Sequence, residues 1–151
     1  MRPKDIQDYA TPSGNALAAR ALLKLAAFTG KAGYSTRAEA SLRLVRDLAK
    51  QYPSAFGAWL SAAGFALGPV KQVAIIGELS DPRTRALLAQ VRAAYRPDLV
   101  VAASALPVPS GSPALLDDRP MQAGQPAAYV CTGFVCHQPV TRPEELEEQL
   151  R

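Results

Sequence analysis

Apolar residues recur at intervals of three and four through the first half of the chain. From Asn15 to Thr29 they are Leu17, Ala18, Ala21, Leu22, Leu25, Ala26 and Phe28, an amphipathic helical pattern. Ser13 or Asn15 stands ready to cap its start, and Gly30 sits where a left-handed residue ends a helix. A second helix is predicted from Thr36-x-x-Glu39, which has the form of a capping box. Its stripe is Ala38, Ser41, Leu42, Val45, Leu48, Ala49 and Tyr52, and Pro53 stops it. The segment Ser54 to Leu67 is apolar almost all round, with Phe56, Trp59, Leu60, Ala63 and Phe65. Gly57 and Gly64 allow close approach, so this helix is expected to be buried between neighbours.

At Gly68-Pro69 the pattern changes. Val73 to Ile76 is a short, fully apolar strand ending at Gly77. Asp81-Pro82 opens a helix with Asp81 as cap, and Leu87, Leu88, Val91, Ala94 and Tyr95 form its inner face. Leu99 to Ala102 is a second apolar strand, so the run is a βαβ unit with two parallel strands. Residues 104–126 contain Pro107, Pro109, Pro113, Pro120 and Pro126 and read as a surface-running, irregular connection. Ala127 to Cys131 is a third strand, Thr132-Gly133 turns the chain, and Val135 to Val140 returns beside it. Thr141-x-x-Glu144 reads as another capping box, opening a final helix from Pro143 to Arg151. The fold class is therefore mainly α with a small α/β part, divided into residues 1–68 and 69–151.

Composition narrows the function classes. The 151 residues are 48% hydrophobic and 20% charged, an ordinary globular balance. The net charge of +4 is spread over helical positions such as Arg20, Arg37, Arg43, Arg46, Arg83, Arg85, Arg92 and Arg96. No basic run or aromatic-basic stripe accompanies it, which argues against nucleic acid as a partner. No apolar run is long enough for a membrane span, and the first residues lack the apolar core of a signal peptide. A cytoplasmic protein with reduced thiols is expected.

Two places invite chemistry. Cys131, Cys136 and His137 crowd together, but a closed zinc site needs four ligands and no second Cys/His cluster supplies the rest. The Cys131-x4-Cys136 spacing exceeds that of C-x-x-C redox centres. Structural free thiols are the simplest reading, with a local disulfide or redox pair and a metal site as alternatives. At Asp8 to Asn15, a Pro-Ser-Gly-Asn turn enters a helix. It offers Ser13, Gly14 and Asn15 to an anion or a sugar hydroxyl, with Asp8 supplying a carboxylate, or it merely caps the helix. The loop after Gly77, GELSDPRT, lacks both phosphate-binding fingerprints, so no nucleotide cofactor is expected. No G-x-S-x-G elbow supports a triad around His137. No catalytic residue can be named.

Three blocks carry a family resemblance: Arg2 to Gly30 with its DYATPSGN motif, Lys71 to Val101, and Ala128 to Leu146, AYVCTGFVCHQPVTRPEEL. In this order they resemble the thioredoxin-domain-containing proteins related to spermatogenesis-associated protein 20. The resemblance implies an N-terminal thioredoxin-like domain followed by a six-hairpin α/α barrel of glycosidase-like type. This chain would be the C-terminal part, holding the last barrel hairpins and a small α/β appendage, with the thioredoxin-like domain and the earlier barrel as its missing neighbours. Asp8, Ser13, Gly14 and Asn15 would then lie at the barrel mouth, as candidate contacts to a carbohydrate or small molecule. Gln7 and Tyr9 depart from the family pattern around Asp8. Two functions follow: part of a carbohydrate-binding or carbohydrate-processing barrel, or a non-catalytic interaction module of a redox-linked protein.

Overall fold

A computed structural model describes residues 5–151. Its helices are α1 (Gly14–Thr29), α2 (Ala32–Gln51), α3 (Gly57–Leu67), α4 (Pro82–Arg92) and α5 (Pro143–Leu150). Its strands are β1 (Lys71–Ile76), β2 (Leu99–Ser104), β3 (Ala127–Thr132) and β4 (Val135–Cys136), and single 3-10 turns cover Pro53–Ala55 and Ala114–Leu116. The chain is mainly α with a small α/β part. Two compact units form: one runs through Ala26 and resumes from Lys31 to Pro69, and the other joins Ala27–Gly30 to Val70–Arg151.

In the helical unit, α1 buries Ala16, Ala19 and Leu23 rather than the leucine stripe the spacing predicts, and Leu17 and Leu25 are exposed. The reason lies one residue before the helix. Ser13 is itself buried, and the face that continues from it through Ala16, Ala19 and Leu23 turns inward. α2 begins at Ala32, one turn earlier than Thr36-x-x-Glu39 predicts. The Thr36 hydroxyl donates to the Ala32 carbonyl inside the helix, so no capping box forms there. Ala38, Val45 and Ala49 are buried in α2, and α3 packs against it through Trp59, Ala62 and Phe65. The expectation that α3 is buried all round fails: Leu60 and Leu67 are exposed.

In the α/β unit the strand order is β2-β1-β3-β4. β1 pairs in parallel with β2, as the βαβ reading expects, and antiparallel with β3. β1 is central, and its run Val73 to Ile76 is fully buried on both faces. Val73 and Ile75 share one core with Ala128 and Val130 of β3, Leu87 and Val91 of α4, and Leu146 and Leu150 of α5. The proline-rich connection is not simply a surface loop. Its 3-10 turn packs on β1 and β2, with Leu115 and Leu116 buried. Proline spacing marks the breaks in this stretch but hides that apolar pair. α4 starts as predicted, the Asp81 carboxylate accepting the Arg83 N–H at 2.8 Å, but it ends at Arg92 and leaves Tyr95 exposed. α5 opens at Arg142 without a side-chain cap, so the Thr141 capping box is not made. Arg142 instead pairs with Glu145.

Candidate functional site

The candidate residues at the start of α1 do come together, and their polar atoms are turned inward. One oxygen of the Asp8 carboxylate accepts the Ser13 N–H at 2.7 Å and the other accepts the Ala58 N–H at 2.8 Å. One side chain thus serves the N-terminal ends of both α1 and α3, where unpaired N–H groups and the helix dipoles favour an anion. The Ser13 hydroxyl donates to the Asp5 carbonyl at 2.8 Å, and the Asn15 amide donates to the same oxygen at 3.1 Å. The Asp8 N–H donates to Ala55, and the Trp59 indole donates to the Ile6 carbonyl at 2.7 Å. Gly14 opens the helix on the exposed side. Asp8, Ser13 and Asn15 therefore fasten the entering segment to two helix starts. Trp59, at the centre of this fastening, looked from sequence like a core residue and nothing more.

The cysteine reading needs correction. Cys131 and Cys136 are joined by a disulfide rather than held as free thiols. They face each other across the β3–β4 ladder with Cα atoms 3.9 Å apart. The cause is the turn. Gly133 and Phe134 both have positive φ, at 56° and 66°, as a two-residue type I′ hairpin requires. Thr132 then pairs with Val135, and the next pair out is Cys131 with Cys136. An x4 spacing with glycine at its centre was the signal for this. β4 is shorter than predicted; beyond it only the His137 N–H bond to Val130 and the bridge between Ala128 and Val140 continue the pairing. Cys131 is buried, whereas Cys136 is partly exposed and His137 is exposed.

The hairpin tip is held by a residue that sequence reasoning passed over. Gln72 is buried in β1. Its side-chain oxygen accepts the Phe134 N–H at 2.8 Å, and its side-chain nitrogen donates to the Ala27 carbonyl at 2.6 Å. The Phe134 ring lies against Gly30, so close that a methyl group there would stand 3.3 Å from it. A bulky residue in the left-handed region is strained by about 1–3 kcal/mol, and these contacts hold it there.

Two further features complete the chemistry. A groove of about 560 Å³ opens between α2 and α3, lined by the apolar residues Leu42, Val45, Trp59, Leu60, Ala63 and Leu67 and by the charged residues Glu39, Arg43, Arg46 and Lys50. Between α4 and α5, the Gln90 amide donates to Glu147 at 2.8 Å and Arg96 pairs with the same oxygen at 2.5 Å. The Gln90 hydrogen bond first, and then the Arg96 charge, hold the Glu147 carboxyl below its ordinary range. Among the described residues, no group of three or more His, Cys, Asp or Glu is placed to hold a metal ion, and no helix is long and apolar enough to cross a membrane.

These features define a helical unit with an open apolar groove, and an α/β unit closed by a disulfide-bonded hairpin. No family model and no solved structure matches the chain. Among curated proteins it is similar to human spermatogenesis-associated protein 20, 30% identical over 158 aligned residues covering 99% of this chain and 20% of the human protein. The mouse and rat proteins of the same name are each 27% identical over 99% of this chain and 19% of their own length. The resemblance read from the three sequence blocks thus extends along the whole chain. The chain spans about one fifth of the length of the curated relatives it matches.

Proposed function

We propose that this chain is a non-catalytic interaction module whose α2–α3 groove receives a helix. The occupant is of the kind that the other four fifths of the relatives would supply, either in the same polypeptide or as a partner. The groove is the observation that carries this reading: Leu42, Leu60 and Leu67 line one largely apolar groove whose charged lining holds three basic residues and one acid. An amphipathic helix with acidic flanks fits both parts, burying leucine-type positions at i, i+3 and i+7, meeting Lys50, and reaching Arg43 and Arg46 in exchange for their own Glu39 and Asp47 partners. This accords with the six-hairpin barrel that the resemblance implies, in which each helix is covered by its neighbour.

A carbohydrate-processing role fits the geometry less well. Acid or base work on a sugar asks for paired carboxylates facing an open cleft. The Asp8 carboxylate instead accepts two backbone N–H groups. The test is to express the remainder of the human relative separately and mix it with this chain. Co-elution that is lost on Leu60→Asp and on Leu67→Asp supports the module. Absence of any complex with the wild-type chain overturns it. Glycan-array binding abolished by Asn15→Ala would favour the carbohydrate reading instead.

A further inference from the structure

The β3–β4 hairpin joins three observations that the groove reading does not use. A disulfide links Cys131, which is fully buried, to Cys136, which is partly exposed. The turn it closes forces Phe134 to φ 66°, and Val135 beside it is exposed to solvent. That same Phe134 is held by the Gln72 side-chain oxygen and lies against Gly30, so the tip is docked on the residues that end α1.

We propose that Cys131–Cys136 is a thiol–disulfide exchange site for a dithiol reductant, and that its redox state decides whether the hairpin tip stays docked on Ala27–Gly30. The access of the two sulfurs sets the direction of attack. The accessible side of the bond is Cys136, which is partly exposed, whereas Cys131 in β3 is fully buried. A thiolate of the reductant attacks Cys136 Sγ, forming a mixed disulfide and expelling Cys131 as a thiolate that takes up the proton given off when the reductant thiol ionised. The second thiol of the reductant, once deprotonated, attacks its own sulfur in the mixed disulfide and releases the Cys136 thiolate, which is protonated in turn. Two electrons and two protons pass to the protein, and the reductant leaves as its disulfide.

The left-handed Phe134 favours the reduced state, because opening the covalent ring lets the turn relax. With the ring open, two ladder pairs and the His137 N–H bond to Val130 hold β4 to β3, and both the Gln72 bond and the Gly30 contact depend on the tip staying in place. The core of the sheet does not depend on it. The side chains of Val73, Ile75 and Val130 share one buried cluster with Leu87 and Val91 of α4 and Leu146 and Leu150 of α5. Reduction should therefore free the tip and leave the fold intact.

The experiment uses the whole chain, purified oxidised and equilibrated in buffers of graded reduced-to-oxidised dithiothreitol ratio. Free thiols are trapped by alkylation and counted by mass, and amide hydrogen exchange is followed in the same samples. The expected result is full reduction without denaturant and exchange of the Phe134 amide faster by roughly tenfold or more. The amides of Val73 and Ile75 should keep their protection. Phe134→Gly, which relaxes the turn, should move the midpoint to more reducing buffer. A chain carrying both Cys131→Ser and Cys136→Ser should show the fast Phe134 exchange in every buffer. The proposal is overturned if the pair is reduced only when sheet protection is also lost, or if Phe134 exchanges equally in both redox states.

Discussion

Asp8 and Ala58 are fifty residues apart in sequence, yet Oδ2 of Asp8 accepts the Ala58 N–H at 2.8 Å while Oδ1 accepts that of Ser13. Asp8→Ala removes the acceptor from two helix starts at once and should cost about 2–4 kcal/mol, twice the usual worth of one cap. Asp8→Asn keeps one good acceptor and should lose roughly half as much. Urea unfolding at constant pH gives both values, and equal stability of Asp8→Ala and wild type would remove the fastening role.

Gly77 lies where β1 leaves the sheet. A methyl group on it would stand 2.5 Å from Thr84 Oγ1 and 2.7 Å from Pro126 Cβ. Both neighbours are fully buried, so neither can give way cheaply. Gly77→Ala should therefore destabilise the chain by about 1–3 kcal/mol, as overpacking does. The midpoint of thermal unfolding should fall by several degrees, whereas Gly111→Ala, with open space around its Cα, should fall only by the cost of its positive φ.

Gln72→Leu keeps the volume but removes the bridge between Phe134 and Ala27. Two backbone groups lose their partner, and a loss of about 1–3 kcal/mol is expected. In hydrogen-exchange measurements the Phe134 amide should lose protection before any amide of β1 does.

The pH dependence follows from Glu147. Its carboxyl is held below its ordinary value by Gln90 and Arg96, so it binds a proton more readily in the unfolded chain than in the folded one. Its stabilising contribution is present above the unfolded-state value, about 4.3, and is lost as pH falls through the lower folded value. Acid titration of the folded fraction should show this loss, and Glu147→Gln should flatten it. Asp81 and Glu145, depressed by hydrogen bonds from Arg83 and Arg142, add in the same direction.

The sequence was most legible where one local rule acts alone. Asp81 and Pro82 begin α4 because a cap and a fixed φ suffice, and Val73 to Ile76, short, mostly β-branched and bounded by Gly77, form a strand buried on both faces. Reading weakened where a distant partner decides. The face of α1 was misjudged because burial of Ser13, set by contact with Asp5, outweighs the larger leucines. Both capping boxes failed for a related reason: Thr36 found a carbonyl within its own helix, and Arg142 took over the start of α5. The Asp8 to Asn15 cluster was found by its turn signature. The pull of Ala58 on the Asp8 carboxylate has no local trace. The cysteine pair does have a local trace: Cys131-x4-Cys136 with glycine at its centre fits a two-residue hairpin whose second pair out faces across the ladder.

The sheet has two unlike margins. On one side β4 is two residues long and stapled to β3, which leaves little backbone for another strand to pair with. On the other, β2 is six residues of LVVAAS without a charge or a proline, and no described strand lies beyond it. Short or irregular margins discourage added strands, whereas long uncharged ones invite them. Any strand addition to this sheet should therefore start from β2, and a lysine placed at Val101 or Ala103 should suppress it.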